Sequence, residues 1–479
     1  MGDYAVPKHI RDMKPKGTMV KKINNNYYVY SFTSTKNSKG NWGIKIGNII
    51  GSIKEDIGFI PNESFNSHED ITTCEYGEYF IPFHLTSNIL DLLKETFNPV
   101  DAIQIYLISL FYFVEGYFGL TLLEDYFNQS YFKIKYPSIS MSYYKISKLI
   151  DSLGRRQNNV ISFQKNLISK AKEMAIDGHD IESYSNNNDL TEYGNKYNKT
   201  GKEQFNLLMA YDIESSKPVL SKIYPGSILD KISIKDIIST YSLKNKLFII
   251  DSGFYSKENI ELFSSEGNKY IIPLSMNLTK YKEIVDNIEY KNPFLYTSGN
   301  KQEPIFYSEK YIDNQNRIIA FKNINQNIIE SKDYENKIGI NENFTLEEYN
   351  KLKDKFGVIV LQTSCKDEAQ VIYEKYKRRW KIETFFNSLK NSNEFTSFNQ
   401  SDYYMLQGLS FIMLITGLIE SEFKNKTKKI KEKKNEILVK SKFIKLIKEG
   451  NKWKYGNYSK QTRELFKSLD IDITKEAIL

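Results

Sequence analysis

Cysteine and histidine are scarce in this chain of 479 residues, which has two cysteines and four histidines. The two cysteines, Cys74 and Cys365, are too few for a disulfide framework of the kind that small secreted domains use. Four scattered histidines also argue against a zinc site. The composition therefore excludes a disulfide-rich scaffold and disfavours a zinc protein.

An apolar leader is also missing, because the first residues, MGDYAVPKHIRDMKPKG, contain no run typical of a secretory signal. Two apolar stretches, 102–123 and 403–419, approach the length of a membrane span. Polar residues such as Gln104 and Gln407 interrupt them, and both lack flanking anchors. We therefore predict that both are buried core helices and that the protein is cytoplasmic and has no membrane partner.

Positive charge is concentrated near the C-terminus. Residues 424–454 contain thirteen lysines and three glutamates, a net charge of +10, whereas the whole chain carries +8. The rest of the chain is therefore slightly acidic. A concentrated basic segment is expected where a protein faces phosphate groups, although a solvated lysine-rich linker helix has the same composition.

Changes in the hydrophobic pattern divide the chain. The aromatic, alternating run at 17–60 predicts a β-hairpin, and a helical pattern follows to about residue 170. Apolar runs that alternate with helical patterns then predict an α/β sheet. The predicted regions are an N-terminal β-rich region at 1–65, a helical region at 66–168, an α/β core at 169–276 and 356–423, a β-rich insertion at 277–355, and a basic C-terminal region at 424–479.

The stretch YKRRWKIETFFNSLK, residues 376–390, places one carboxylate among cations and a phenol. Four of its polar side chains are separated by three, four and seven positions: Tyr376, Arg379, Glu383 and Lys390. On one continuous α-helix, at about 100° per residue, all four share an arc about 60° wide. We predict that this arc faces a functional site, although a glutamate between basic residues is ordinarily a salt-bridged surface residue.

Two aspartates could meet Glu383 beside the predicted sheet. Asp177 in AIDG and Asp251 in IIDSG each close an apolar run, and polar residues at strand ends project into the site beside an α/β sheet. Three carboxylates would form an oxygen-rich pocket suited to Mg²⁺ or Mn²⁺. Arg379 and Lys390 would then contact phosphates beside two such ions.

Each acid taken singly has an ordinary explanation. An aspartate at a strand end is usually a turn or cap residue, and we expect this role for Asp212 in AYD. Asp180 should point away from the face of Asp177, because strand side chains alternate. The combination of acids, rather than any one of them, indicates a site.

These motifs together resemble the DDE transposases of bacterial insertion sequences, in the subgroup with a β-rich insertion and a Tyr-x₂-Arg-x₃-Glu-x₆-Lys signature. Residues 376–390 match this signature without a gap. AIDGHDI (175–181) and IIDSGFYSKENI (249–260) are similar to the first-aspartate and second-aspartate strands of the family, with His179 where threonine is common. YPGSILDKISI (224–234) resembles a further turn motif, with serine where asparagine is common.

The resemblance implies a ribonuclease-H-like catalytic core, interrupted by the β-rich insertion. Its implied catalytic residues, which bind two Mg²⁺ (or Mn²⁺) ions, are Asp177, Asp251 and Glu383. The implied DNA-contacting residues are Tyr376, Arg379 and Lys390. Trp380 could support stacking on the end base, but we expect it to pack in the core.

The function implied is cut-and-paste transposition, in which the inverted-repeat ends of an element are cleaved and joined to target DNA. A homodimer would pair the two ends in a synaptic complex, because each end needs a copy of the site. From its position, the helical region at 66–168 is predicted to bind the DNA ends. The protein is predicted to associate with the bacterial nucleoid. The alternative is a catalytically inactive DNA-binding relative that inhibits or regulates transposition.

Overall fold

The computed structural model describes most of the chain, and it separates into two compact units. The described residues are 6–36, 42–62, 73–183, 204–226, 230–285, 292–391, 397–398, 402–450 and 452–473, without the side chains of 182–183, 230–231, 389–391 and 397–398. One unit comprises Met1–Cys74 with Leu446–Lys454, and the other comprises Glu75–Lys445 with Tyr455–Leu479.

An antiparallel sheet forms the centre of the first unit. Its strands follow the order β1-β2-β3-β4, with bounds Thr18–Ile23, Asn26–Lys36, Trp42–Lys54 and Gly58–Pro61. Ile10 of the short helix α1 (Lys8–Asp12) packs with Val20, Val29 and Ile53 in a small apolar core. A second small sheet has the order β17-β16-β5, with bounds Lys452–Tyr455, Lys445–Glu449 and Thr73–Glu75.

The second unit begins with helices, as the pattern predicted. Helices α2 to α7 are Gly77–Lys94, Pro99–Glu115, Leu123–Gln129, Phe132–Lys135, Tyr143–Arg155 and Gln157–Lys170. The side chain of Asn98 accepts a hydrogen bond from the Asp101 amide and so caps α3, with Pro99 at the first helical position. Helix α3 ends before the apolar run does, because Gly116 adopts a φ of 82° that stops the helix.

Helix α15 (Tyr403–Lys426) is the central helix of this unit and contacts α2, α3, α6 and strand β8 (Lys217–Pro225). By length and composition it could cross a membrane, but 89% of its apolar window is buried inside the fold. Helices α3 and α4 meet the same test only as a pair bent by 104°. Helix α15 and helix α3 therefore lie in the core, which confirms the prediction for these helices. The end of the first run lies only partly in the core, since Leu122 is 45% exposed.

Two glycines let α6 and α15 approach closely. A Cβ atom on Gly408 would overlap the backbone oxygen of Ile150, and one on Gly154 would overlap that of Tyr404. The two backbones are thus in direct contact, because only glycine leaves room for them.

We expect Gly408→Ala to lower the free energy of unfolding by about 1–3 kcal/mol or more, because the added methyl group forces two packed helices apart. Urea unfolding would measure the loss. Gly119→Ala is the matched control, since its nearest neighbouring atom would lie 3.7 Å away and its φ of −64° suits alanine. Equal stability of the two variants would contradict the close-contact explanation.

A large mixed sheet follows the helices. Its strands follow the order β11-β12-β13-β14-β10-β9-β6-β7-β8. The bounds not yet given are β6 Glu173–Ser183, β7 Gln204–Asp212, β9 Leu247–Ile250, β10 Lys269–Pro273, β11 Asn292–Ser298, β12 Lys301–Tyr311, β13 Arg317–Asn323, β14 Val358–Thr363, and β15 Ser397–Phe398, which pairs with β6. Strands β6, β7 and β8 are antiparallel, whereas β9 is parallel to β6 and β10 to β9. The predicted α/β class is confirmed.

Further helices lie between the strands of this sheet along the chain and after its last strand. The helices of the second half are α8 Asp230–Tyr241, α9 Lys257–Phe263, α10 Thr279–Val285, α11 Ile324–Glu335, α12 Leu346–Leu352, α13 Ala369–Lys377, α14 Trp380–Asn391, α16 Lys434–Lys442 and α17 Lys460–Ser468. Residues 277–355 thus hold helices as well as strands, and β13 joins the main sheet through β14. The basic segment is not one linker helix, since α16, β16 and β17 divide it.

Candidate active site

Asp177 and Asp251 lie side by side on neighbouring parallel strands. The register of β6 and β9 places Ile176 opposite Ile250, so Asp177 is the next residue of β6 and Asp251 is the first residue after β9. Neighbouring strands are about 4.8 Å apart, and the two carboxylates therefore start from adjacent backbone positions. Asp251 follows β9 as predicted, but Asp177 is not at a strand end, because β6 continues to Ser183 by pairing with β7.

Strand alternation places both aspartates on the face of the sheet opposite the α8 core. Met174 and Ile176 of β6, like Ile250 of β9, pack in the apolar cluster with α8 and α9. Residues one position away point to the other face. Asp177 and Asp251 therefore share a face.

Each aspartate accepts a hydrogen bond from the backbone amide that follows it. The Gly178 N–H donates to Asp177 Oδ1 at 3.0 Å, and the Ser252 N–H donates to Asp251 Oδ1 at 2.7 Å. A backbone donor favours the ionised carboxylate and restricts its rotation. Both carboxylates are thus held by the chain itself.

The signature stretch forms two helices rather than one. A two-residue turn separates α13 from α14, and it is closed by hydrogen bonds from Arg379 N to Tyr376 O at 2.9 Å and from Ile382 N to Arg379 O at 3.0 Å. Such tight turns advance about 120° per residue instead of about 100°. The predicted arc on one continuous helix is therefore wrong, although Tyr376, Arg379 and Glu383 still meet around the turn.

Arg379 lies between acidic and aromatic neighbours. Its Nη2 donates to Glu383 Oε1, and its Cζ lies 5.9 Å from the centre of the Tyr376 ring. The Arg379 side chain is only 11% exposed, whereas that of Glu383 is 49% exposed. The ordinary expectation of a salt-bridged glutamate therefore holds in this conformation, with the cation as the buried partner.

The charges of these residues act on Asp177. Burial raises the pKa of Asp177 to about 6; Arg379 opposes this rise, while Asp251 and Glu383 add to it. Burial also tends to lower the pKa of Arg379, but Tyr376 and the three acids outweigh it and raise that pKa. Since all three acids act on Arg379, they lie around its guanidinium.

The three acids do not form a closed metal cage in this conformation. Across the described part of the chain, no group of three or more His, Cys, Asp or Glu side chains could hold a metal ion. Glu383 is instead bound to Arg379. The oxygen donors nevertheless suit Mg²⁺ chemically, so the shared metal site remains a prediction.

Other residues singled out from the sequence have varied outcomes. Lys390 belongs to α14, but its side chain lies outside the described residues. Trp380 is 61% exposed, so the expected core packing is wrong; the turn before α14 directs Ile382 and Phe385 inward instead. Asp212 accepts hydrogen bonds from the amides of the β7–β8 turn, which confirms its assignment as a turn residue.

Two contacts that the sequence did not reveal fix α14 against the sheet. The Lys381 Nζ donates to the backbone oxygen of Ile213 at 2.9 Å and to the hydroxyl of Ser216 at 3.0 Å. His179, on the same strand face as Asp177, packs against Phe386 with ring centres 5.5 Å apart. These partners are distant in sequence, so no local pattern could have identified them.

Helix α13 is tied to the same strand by ion pairs. Glu173, the first residue of β6, lies 3.1 Å from Lys375 Nζ and 3.5 Å from Arg378 Nη2. Both contacts flank Tyr376 along the chain. The turn that carries Arg379 is therefore held at one end by Glu173 and at the other by Lys381.

Comparison with known proteins identifies the family. The sequence pattern of the family described as "Transposase DDE domain" matches residues 168–414, just over half of the chain. No match is found among curated proteins. A solved structure, the cryo-EM structure of the piggyBac transposase synaptic complex with hairpin DNA, is similar at 12% identity and a TM-score of 0.39, over 76% of this chain and 78% of that one. The matched pattern includes β6, β9 and α14 with their three acids, and the chain belongs to the family of proteins that carry the transposase DDE domain.

Proposed function

We propose that the chain is a cut-and-paste DNA transposase that binds the inverted-repeat ends of its element, cleaves them and joins them to target DNA. Membership of the family supports a transposase. The observation that carries the catalytic part is the adjacency of Asp177 and Asp251, with Glu383 and Arg379 close enough to shift the pKa of Asp177.

A ribonuclease-H-like core is part of this proposal. The antiparallel strands β8, β7 and β6, followed by the parallel strands β9 and β10, support it. This arrangement puts the two aspartates on the central strands. We place the chain in the subgroup of bacterial insertion sequences with a β-rich insertion, on the strength of the signature at 376–390.

Divalent ions, Mg²⁺ or Mn²⁺, would be held by Asp177 and Asp251, and by Glu383 once it leaves Arg379. The donor set fits, because these ions prefer carboxylate oxygens. The raised pKa of Asp177 also reflects negative charge that a cation would relieve. Two such ions activate an attacking water or 3′-hydroxyl and stabilise the leaving oxygen of a phosphoryl transfer.

Arg379 would bind a phosphate of the DNA end. Its guanidinium binds carboxylate and phosphate oxygens with the same forked geometry. An incoming phosphate could therefore take the place of Glu383 and leave that carboxylate free beside Asp177 and Asp251. The nearby Tyr376, whose pKa is raised by burial, stays protonated and can donate a hydrogen bond to the end.

The remaining assignments follow from the requirements of the reaction. Lys390 would contact a further phosphate, and the helices within 66–168 would bind the inverted repeats. Two copies of the chain would pair the two ends, because one active site serves each end. The protein would act on the nucleoid of a bacterial cytoplasm.

Cleavage of DNA that carries the inverted repeats flanking the coding sequence tests this function. With Mg²⁺, the chain should cut the strand at the element's end and join the freed 3′-hydroxyl to target DNA, and a chelator should stop both steps. Tight binding of the ends without cleavage in Mg²⁺ or Mn²⁺ would contradict the proposal. That result would instead support an inactive DNA-binding relative.

Cleavage is expected to decline as the pH falls through about 6, because protonated Asp177 cannot bind a cation. The free energy of unfolding of the metal-free protein should instead increase as the pH falls through the same range. The pKa of Asp177 is raised in the folded state, so its contribution to stability is present below about pH 4 and lost as the pH rises through about 6.

Single-turnover rates from pH 5 to 8 would measure the first effect. Unfolding without metal from about pH 4 to 8 would measure the second, with Asp177→Asn as the control that removes the titrating group. A rate that stays constant down to pH 5 would contradict the assignment.

A further inference from the structure

Strands β2 and β3 of the first unit extend beyond their sheet as a two-stranded ribbon. Strand β1 pairs with β2 only as far as Ser31, and β4 pairs with β3 only from Gly51 onward. Strands β2 and β3 continue in regular pairing from Phe32 opposite Ile46 to Lys36 opposite Trp42. Bulges near Tyr30 separate this ribbon arm, residues 32–36 with 42–46, from the four-stranded base.

One face of the ribbon arm is apolar and exposed. Residues directly opposite one another share a face. This face therefore carries Phe32 opposite Ile46, Ser34 opposite Ile44 and Lys36 opposite Trp42. Trp42 is 72% exposed and Ile44 is 56% exposed. The Lys36 Nζ lies 5.1 Å from the centre of the Trp42 ring at the distal end of this face.

The other face is polar and narrow. Thr33 lies opposite Lys45, and Thr35 lies opposite Gly43. A Cβ atom on Gly47 would collide with the Ser31 hydroxyl, so this face has no room for larger groups near the base. The arm is therefore thin, with hydroxyl groups and Lys45 on one side and mainly large apolar groups, with Ser34 and Lys36, on the other.

Charge on this part of the chain has a single sign. Residues 23–54 contain four lysines and no aspartate or glutamate, and Lys36 and Lys45 are exposed on the arm. Two arms packed against each other would bring like charges together. A polyanion would be attracted instead, and counterion release would favour its binding.

We propose that the ribbon arm is a DNA-binding element that enters a groove of duplex DNA. The major groove admits a two-stranded β-ribbon, and apolar side chains contact base edges or wedge between base steps in protein–DNA complexes. Lys36 and Lys45 neutralise phosphates at the groove edges, while Trp42 and Ile44 contact bases or sugars. This proposal adds a DNA contact to the proposed function and rests on it for the identity of the partner.

Binding of the full-length chain to fluorescent duplex DNA, measured against salt concentration, tests the lysines. Lys36→Gln with Lys45→Gln should weaken binding at least about tenfold at 0.1 M salt and lower the salt slope by about 2. The matched control is Lys22→Gln with Lys54→Gln, which removes the same charge from exposed positions on the base of the same sheet. Equal losses in the two double variants would overturn the proposal.

The apolar face needs a different readout. Trp42→Ser with Ile44→Thr should weaken binding several-fold without changing the salt slope, because no charge is removed. Ile57→Thr, at an exposed position in the turn before β4, should bind like wild type. Unchanged affinity in the Trp42/Ile44 variant would contradict the proposed contact between this face and DNA.

Photocrosslinking separates DNA from other occupants. The full-length chain with benzoylphenylalanine in place of Trp42 should crosslink to duplex DNA, and the same probe in place of Ile57 should not. A crosslink from position 42 to a second copy of the chain would overturn the proposal, and so would the absence of any crosslink to DNA. These tests read binding, so a chain that fails to cleave can still confirm the arm, and a chain that cleaves normally can still refute it.

Discussion

Asp251→Asn is expected to reduce strand cleavage by about three orders of magnitude while leaving affinity for the DNA ends within about twofold. The substitution keeps the size of the side chain and its ability to accept the Ser252 N–H bond. It removes the negative charge that Asp251 would offer to a divalent ion next to Asp177. Single-turnover cleavage and end-binding measurements on the same DNA would separate the two effects.

Asp180→Asn is the matched control for this effect. It lies on β6, three residues beyond Asp177, and strand alternation places it on the opposite face. Its cleavage rate should stay close to that of wild type. Equal damage from both substitutions, or a fully active Asp251→Asn protein, would exclude the proposed acidic site.

Arg379→Ala is expected to lower cleavage about 100-fold and to move the low-pH limit of the reaction to higher pH. Arg379 is the cation that opposes the rise in the pKa of Asp177. Without it, Asp177 is surrounded by the unopposed charges of Asp251 and Glu383 and holds its proton more tightly. Loss of the phosphate-binding guanidinium would add to this effect.

A pH–rate profile distinguishes this role from general loss of structure. Arg378→Ala, one residue earlier, removes a cation that contacts Glu173. Because Glu173 is not one of the three candidate catalytic acids, this variant should leave the pH dependence unchanged. Arg379→Lys should preserve the pH dependence better than the alanine variant, because it keeps the charge, yet cleave slowly for lack of the forked hydrogen bonds. An unshifted profile for Arg379→Ala would contradict the electrostatic role.

The sequence predicted which residues form the candidate site better than it predicted how they are arranged. Asp177, Asp251 and Glu383 were selected because two close apolar runs, one lies among basic residues, and all three match motifs of the family that the sequence resembles. The structure brings Asp251, Glu383 and Arg379 close enough to shift the pKa of Asp177. It does so around a turn between two helices, so the single helical arc that first linked Tyr376, Arg379 and Glu383 was wrong.

Errors at two other positions both come from backbone hydrogen bonding. Trp380 was expected in the core, but the tight turn before α14 faces it outward. Asp177 was expected at a strand end, but pairing with β7 extends β6 to Ser183. In each case, backbone hydrogen bonds decided the outcome: local bonds that close a turn for Trp380, and pairing with a strand distant in sequence for Asp177.

The sequence by itself determined the class of the fold, the buried state of both apolar helices and the acids of the candidate site. These features depend on residue type and on short-range periodicity, which a single chain displays directly. Only the tertiary structure decided that Glu383 is bound to Arg379, that Lys381 holds α14 to the β7–β8 turn, and that an apolar ribbon arm is left exposed. The Arg379–Glu383 pair spans four residues, and the local pattern allowed it as one of two outcomes. The Lys381 contact joins residues far apart in sequence, and the exposure of the arm depends on which surfaces remain uncovered, so no local pattern encodes either.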